Sequence, residues 1–128
     1  MGIPPGTVVQ ELGYDHDVDE GLREAVAERC GAELVDADYD DVVDVVLLWW
    51  REGDGDLVDV LVDSLAPLAD NGVIWLLTPK AGRDGHVEPS DINEAAPTAG
   101  LSQTTSISAA DDWSGARLVA PKVSRARR

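Results

Sequence analysis

Val42-Val43-Asp44-Val45-Val46-Leu47-Leu48-Trp49-Trp50 and, one helix-length further on, Val73-Ile74-Trp75-Leu76-Leu77 are the two stretches that decide the fold. Each is a nearly continuous run of β-branched, leucine and tryptophan side chains. A strand with one wet face alternates apolar and polar residues. A strand covered on both faces reads as an unbroken apolar run, the mark of a parallel sheet between helical layers. Between the two runs, Asp54 or Asp56 is placed to cap a helix, with Val58, Leu61, Leu65 and Leu68 on one stripe and Asn71-Gly72 as the turn into the next strand. Strand, helix and parallel strand form one crossover unit, and ligands in such sheets lie outside the strands' carboxyl ends.

Working outward, Thr7–Leu12 reads as a first strand ending at Gly13. Asp17 with Glu20 makes a capping box ahead of Val18, Leu22, Ala25, Val26 and Cys30, and Gly31 stops that helix. Ala32–Asp36 is a short strand candidate. Only Ala37–Asp41 separates it from the Val42 strand, and five residues reach at most ~18 Å, too little for a parallel return crossover. The segment is therefore a short edge piece or an antiparallel one. After Val73–Thr78 comes a polar loop, Ala81–Glu88. A short helix capped by Ser90 follows, interrupted by Pro97 and ended at Gly100. Gln103–Ala109 and Ala116–Ala120 suggest a hairpin around Ala110-Asp111-Asp112-Trp113-Ser114-Gly115. The fold class is α/β: an abbreviated Rossmann-like, mostly parallel sheet flanked by helices and ending in a β-hairpin.

The length of 128 residues fits one domain, expected over residues 1–121, with Lys122–Arg128 as a basic disordered tail. Cys30 is the sole cysteine, so no intramolecular disulfide forms, and a cytoplasmic setting is expected. No run reaches the ~18 to 20 apolar residues of a membrane span. The opening residues lack the basic-then-apolar order of a secretory signal, and Pro4 and Pro5 close behind Gly2 make a poor acylation site. The formal charge of −15 is lopsided: residues 1–72 carry 19 acidic and 3 basic side chains, residues 73–128 carry 6 and 7. The first half repels nucleic acid and anionic membrane, so neither is an expected partner. It reads as a solubilising face or as a docking surface for a basic protein.

No catalytic constellation emerges. His16, Cys30 and His86 lack metal-ligand spacing, so no metal site is expected. Asp36-Ala37-Asp38-Tyr39-Asp40-Asp41 resembles a calcium loop without its central glycine and distal glutamate, which leaves weak cation binding at most. The ligand-binding candidates are Gly13, Lys80, Arg83, His86, Trp113, Ser114 and Arg117. Gly13 closes the first strand after Glu11, like the opening of a nucleotide-binding turn. Bulky, acidic Tyr14-Asp15-His16-Asp17 replaces the further glycines of such a turn, and these acids repel a pyrophosphate. Lys80 follows Thr78-Pro79 at a central strand's carboxyl end, the place for an anion clamp. Arg83 and His86 lie on the loop behind it, with Gly82 and Gly85 as hinges. Trp49 and Trp50 must face opposite sides of the sheet. Trp75 is read as core. Trp113 and Arg117 are expected to interact and shape the hairpin.

Together these residues resemble a small bacterial family catalogued as domain of unknown function 3052, in its actinobacterial branch. The likeness runs from about Ile3 to Lys122. It rests on Pro5-Gly6-Thr7-Val8-Val9, Asp44-Val45-Val46-Leu47-Leu48, Gly72-Val73-Ile74-Trp75 with Pro79-Lys80, and Trp113-Ser114-Gly115-Ala116-Arg117-Leu118-Val119. Membership implies a compact Rossmann-like fold and supplies no reaction. The order of the last elements is similar to the carboxyl half of class I methyltransferases, which raises S-adenosylmethionine as a cofactor. The missing glycine-rich loop and the shortened middle argue against it. The leading expectation is a non-catalytic module that binds a partner or a small ligand in regulation or assembly. The alternatives are a small methyltransferase-like enzyme and an acidic mimic of nucleic acid. A homodimer stays open.

Overall fold

A computed structural model describes residues 2–120. The expected basic tail over residues 122–128 lies outside them. Five strands and three helices follow in the order β1 (Val9–Leu12), α1 (Glu20–Cys30), β2 (Val43–Trp49), α2 (Leu57–Leu65), β3 (Leu68–Pro79), α3 (Pro89–Thr98), β4 (Ser102–Ser108) and β5 (Trp113–Val119). The spatial order is β1-β2-β3-β5-β4. β1, β2 and β3 are parallel, with Val45 beside Val9 and Val73, and β5 and β4 add an antiparallel hairpin.

The two apolar runs lie side by side and point the same way, as their composition predicts. Val46, Leu48 and Trp50 share one face with Ile74 and Leu76, under α2 and α3. Val45, Leu47 and Trp49 share the other with Trp75 and Leu77, under α1. Trp49, Trp50 and Trp75 are all buried. Among the described residues no helix is long and apolar enough to cross a membrane.

Several boundaries differ from the sequence reading. Asp19, not Asp17, caps α1, accepting from the Leu22 amide at 2.8 Å, because Asp17 is held by Arg51. Gly31 ends α1 at φ 83°, a left-handed turn that costs glycine nothing. Asp56 rather than Asp54 caps α2. Leu68 begins β3 instead of continuing the helix. The Asn71-Gly72 turn sits inside that strand as an irregularity, with Asn71 at φ 67°. α3 starts with Pro89 at its first turn, where a missing N–H costs nothing. No Ser90 cap forms there, and Pro97 sits within the last turn without interrupting the helix. The Ala32–Asp36 segment contributes a single parallel bridge, Val35 to Gln10. It is the short edge piece that its tether allows.

Candidate functional site

The strands' carboxyl ends form two zones of opposite character. Over β1 and β2 two arginine clamps occupy the surface, beside a recess of about 490 Å³ lined by Glu11, Gly13, Tyr14, Arg23, Asp36 and Ala37. Arg51 is the first charged residue after the β2 run, and its side chain is only 13% exposed. Its guanidinium donates to the Gly13 carbonyl at 2.9 Å and to Asp17 Oδ2 at 2.9 Å, and lies 3.3 Å from Asp54 Oδ2. It also rests over the Trp113 ring at 5.3 Å. Burial alone would lower the Arg51 pKa, but bonding and attraction from Asp17 and then Asp54 raise it. The bond from Arg51 holds the Asp17 carboxyl below its usual range.

A second clamp lies beside it. Glu11, buried at the end of β1, accepts from Arg23 Nε at 2.6 Å and Arg23 Nη2 at 2.8 Å, and from the Trp49 indole N–H at 2.8 Å. Arg23 reaches Glu20 at 2.7 Å and stands over the Tyr14 ring. The Glu11 bond chiefly raises the Arg23 pKa. The hydrogen bond to Glu20 raises that of Tyr14. Gly13 sits at φ 78° so close to β2 that a Cβ would meet the Trp49 carbonyl oxygen at 2.1 Å. Its small size serves packing of two strand ends.

Over β3 and the hairpin the surface is open. A cavity of about 340 Å³ lies between the end of β3, α3 and the two hairpin strands. Thr78, Ser106, Ser108 and Ser114 line it with hydroxyls, while Val87, Ile92 and Ala116 line it with carbon. His86 also lines it, with Nδ1 2.9 Å from the Pro79 carbonyl and Nε2 3.3 Å from Glu88. Gln103 donates to Ser106 at 2.6 Å and keeps a buried Oε1 with no partner. Lys80 joins the rim by donating to Ser108 Oγ at 2.5 Å.

Of the sequence candidates, His86, Ser114 and Lys80 therefore come together. Arg83 lies nearby, 3.4 Å from Asp112. Three others are displaced. Gly13 lies in the clamped zone, on the recess it shares with Glu11 and Arg23. Trp113 is no turn residue: it opens β5, buried on the opposite face, edge-on to Trp49 with ring centres 4.8 Å apart. Arg117 donates to Thr104 at 3.0 Å, and Arg51 takes the place over Trp113 expected for it. Residues four apart in a strand are separated by about 13 Å, so the expected Trp113–Arg117 pair does not form. Sequence reasoning missed Arg51, Glu11 and Arg23. The available signal was position: a charge directly at a buried strand's carboxyl end stands where partners converge.

The chain belongs to the family described as protein of unknown function DUF3052, whose model matches residues 1–122. Uncharacterized proteins of Mycobacterium tuberculosis and Mycobacterium bovis are 57% identical to it over 122 residues, covering 95% of this chain and 77% of each relative. Its fold is similar to a TehB-like SAM-dependent methyltransferase from Corynebacterium glutamicum, with TM-score 0.57 and 14% identity, covering 91% of this chain and 82% of that one. It is also similar to a ribosomal protein L11 methylase from Lactobacillus delbrueckii, with TM-score 0.57 and 14% identity, covering 94% and 72%. At such identities the likeness is one of fold: a methyltransferase-like Rossmann sheet.

Proposed function

We propose that residues 1–121 act as one non-catalytic binding unit, taking a small ligand in the cavity beside Lys80, His86 and Ser114 and serving regulation or assembly in the cytoplasm. The observation that carries this reading is the placement of Arg51. Part of the crevice over β1 and β2, where this sheet type receives a nucleotide, is taken by the chain's own guanidinium, clamped to Gly13, Asp17 and Asp54. The recess left beside it is walled by Glu11, Tyr14, Arg23 and Asp36 and lacks the further glycines of a nucleotide-binding turn, which speaks against S-adenosylmethionine as the ligand.

The open cavity offers hydroxyl donors and acceptors on the hairpin wall and carbon on the α3 wall. Its cationic neighbours are Lys80 and Arg83. This combination suits a compact molecule with a polar edge and a carboxylate or phosphate group. Thermal-shift screening with nucleotides, S-adenosylmethionine and acyl-coenzyme A compounds tests the reading. An anionic compound should raise the melting temperature, and Lys80→Ala with Ser114→Val should remove the rise. Failure of every compound at about 1 mM, a concentration that matches only about 4 kcal/mol of binding, counts against the cavity. Calorimetric binding of S-adenosylmethionine that survives in Lys80→Ala would move the ligand back over β1 and overturn the proposal.

A further inference from the structure

A second recess, of about 550 Å³, opens on the α2 side of the sheet beside edge strand β1 and under residues 37–42. Leu12, Val42 and Pro67 give it carbon walls, and Asp40, Asp41 and Asp63 bring three carboxylates. Among the described residues none of these three takes part in an ion pair or lies within a group of ligands able to hold a metal ion. Gln10 lines the same recess from the middle of β1 and is 3% exposed. Its amide orientation is set, because Nε2 donates to the Asp36 carbonyl at 3.1 Å and leans toward that of Tyr39 at 3.5 Å. Gln10 Oε1 is consequently a buried acceptor without a donor.

An orphaned acceptor beside unpaired carboxylates calls for an occupant rich in N–H donors and positively charged. A metal ion is disfavoured by the lack of a converging ligand set. An organic cation suits better, since its donors can reach separate oxygens. The carbon walls suit an aliphatic stem, and Tyr39 offers an aromatic surface to a planar guanidinium. We propose that this recess takes an arginine side chain from a basic segment of a partner protein. The charge distribution supports a protein source. Two of the three basic residues in the first 72 are already paired, Arg23 with Glu11 and Glu20 and Arg51 with Asp17 and Asp54, so the surrounding acids are free to steer a basic chain inward. A second copy would present the same sign of charge.

A fluorescein-labelled flexible peptide with three arginines, titrated against the full chain by fluorescence polarisation, tests this site independently of the Lys80 cavity. The intact chain should bind, and binding should weaken as salt rises from about 50 to about 300 mM. Asp40→Asn with Asp41→Asn should weaken binding about tenfold. Glu24→Gln with Glu28→Gln, an equal charge change on exposed α1 positions, should weaken it no more than about twofold. Gln10→Leu should weaken the peptide; it also removes the bond to the Asp36 carbonyl, so a small fall in melting temperature is expected, and unchanged peptide binding by the folded variant would overturn the role of Gln10. Equal losses from the two acid pairs would reduce the effect to general attraction and overturn the site. No binding by the intact chain at about 1 mM would do the same. Competition by free arginine as strong as by the peptide would assign the recess to a small amine and overturn the protein partner.

Discussion

Replacing Gly13 by alanine separates two reasons for a glycine after β1. If it is small so that a ligand can approach, alanine weakens binding and leaves the fold intact. The structure gives the other reason. Gly13 has φ 78°, and a Cβ there would lie 2.1 Å from the Trp49 carbonyl oxygen. Left-handed backbone costs a non-glycine residue about 1–2 kcal/mol. Relieving a contact more than 1 Å too short means moving one strand end off the other, and such overpacking costs about 1–3 kcal/mol. The same motion draws the Gly13 carbonyl from Arg51, now at 2.9 Å. The sum is about 2–5 kcal/mol, and for a domain of this size each kcal/mol moves the melting temperature by about 3–5 °C. A fall of about 6–25 °C is expected by differential scanning calorimetry. Gly82→Ala is the control. Its φ of 87° is equally left-handed, but no atom lies within 4 Å of its Cβ, so only the backbone cost of about 1–2 kcal/mol applies. Equal falls for the two variants, or a Gly13→Ala protein melting like the parent, would refute the packing argument.

The remaining predictions concern the core and the clamp. Trp75→Ala should cost about 3–5 kcal/mol in urea unfolding, because a 3% exposed tryptophan in a parallel strand leaves a cavity that its neighbours cannot close; an unchanged midpoint would remove Trp75 from the core. Asp17 has its pKa lowered from 3.8 by the bond from Arg51. Its contribution is therefore full above the unfolded pKa and is lost as pH falls through the lower folded one. The urea midpoint should drop below about pH 4, and Arg51→Met should flatten that drop; an acid limb of the same steepness in the variant would show that the pair carries no linkage.

The layers of the sheet were legible because burial on both faces leaves a direct imprint. Only a strand covered above and below carries Val45 through Trp50 without a polar break, and the order of β2, α2 and β3 follows from helix length. The short edge piece at Val35 was legible from chain reach. What the sequence hid depends on tertiary competition. Asp17 and Asp19 have equal capping chemistry, and Arg51, more than 30 residues away, decided between them. Trp113 stands after two aspartates and looks like a turn residue until the hairpin pairs Pro79 with it and turns its ring toward Trp49. The hydroxyl-lined cavity was half legible. Lys80 and His86 could be placed at a strand's carboxyl end. Thr78, Ser106 and Ser108 converge with Ser114 only through the β3-β5-β4 pairing, which no local pattern encodes.

The shortened middle of the chain also explains why the two zones differ. β1 is an edge strand with one bridge beyond it. The loop after β1 therefore has no full strand on its outer side, whereas the loop after β2 is tied to the loop after β3 by the Glu52 amide donating to the Gly85 carbonyl at 2.9 Å. Arg51 holds the first loop to the second by joining Gly13 and Asp17 on one to Asp54 on the other. Single ion pairs at this exposure contribute little stability. One planar guanidinium with three fixed acceptors and an aromatic face beneath it specifies a single arrangement of both loops. The clamp narrows the crevice, and the recess that remains beside it is walled by the charged and bulky side chains of Glu11, Tyr14, Arg23 and Asp36. On the far side, β3 is flanked by β2 and β5, so the sheet itself holds its end, and the cavity lies between that end and α3. On the proposed reading, Lys80, His86 and Ser114, rather than the turn after β1, are therefore where a small ligand is to be sought.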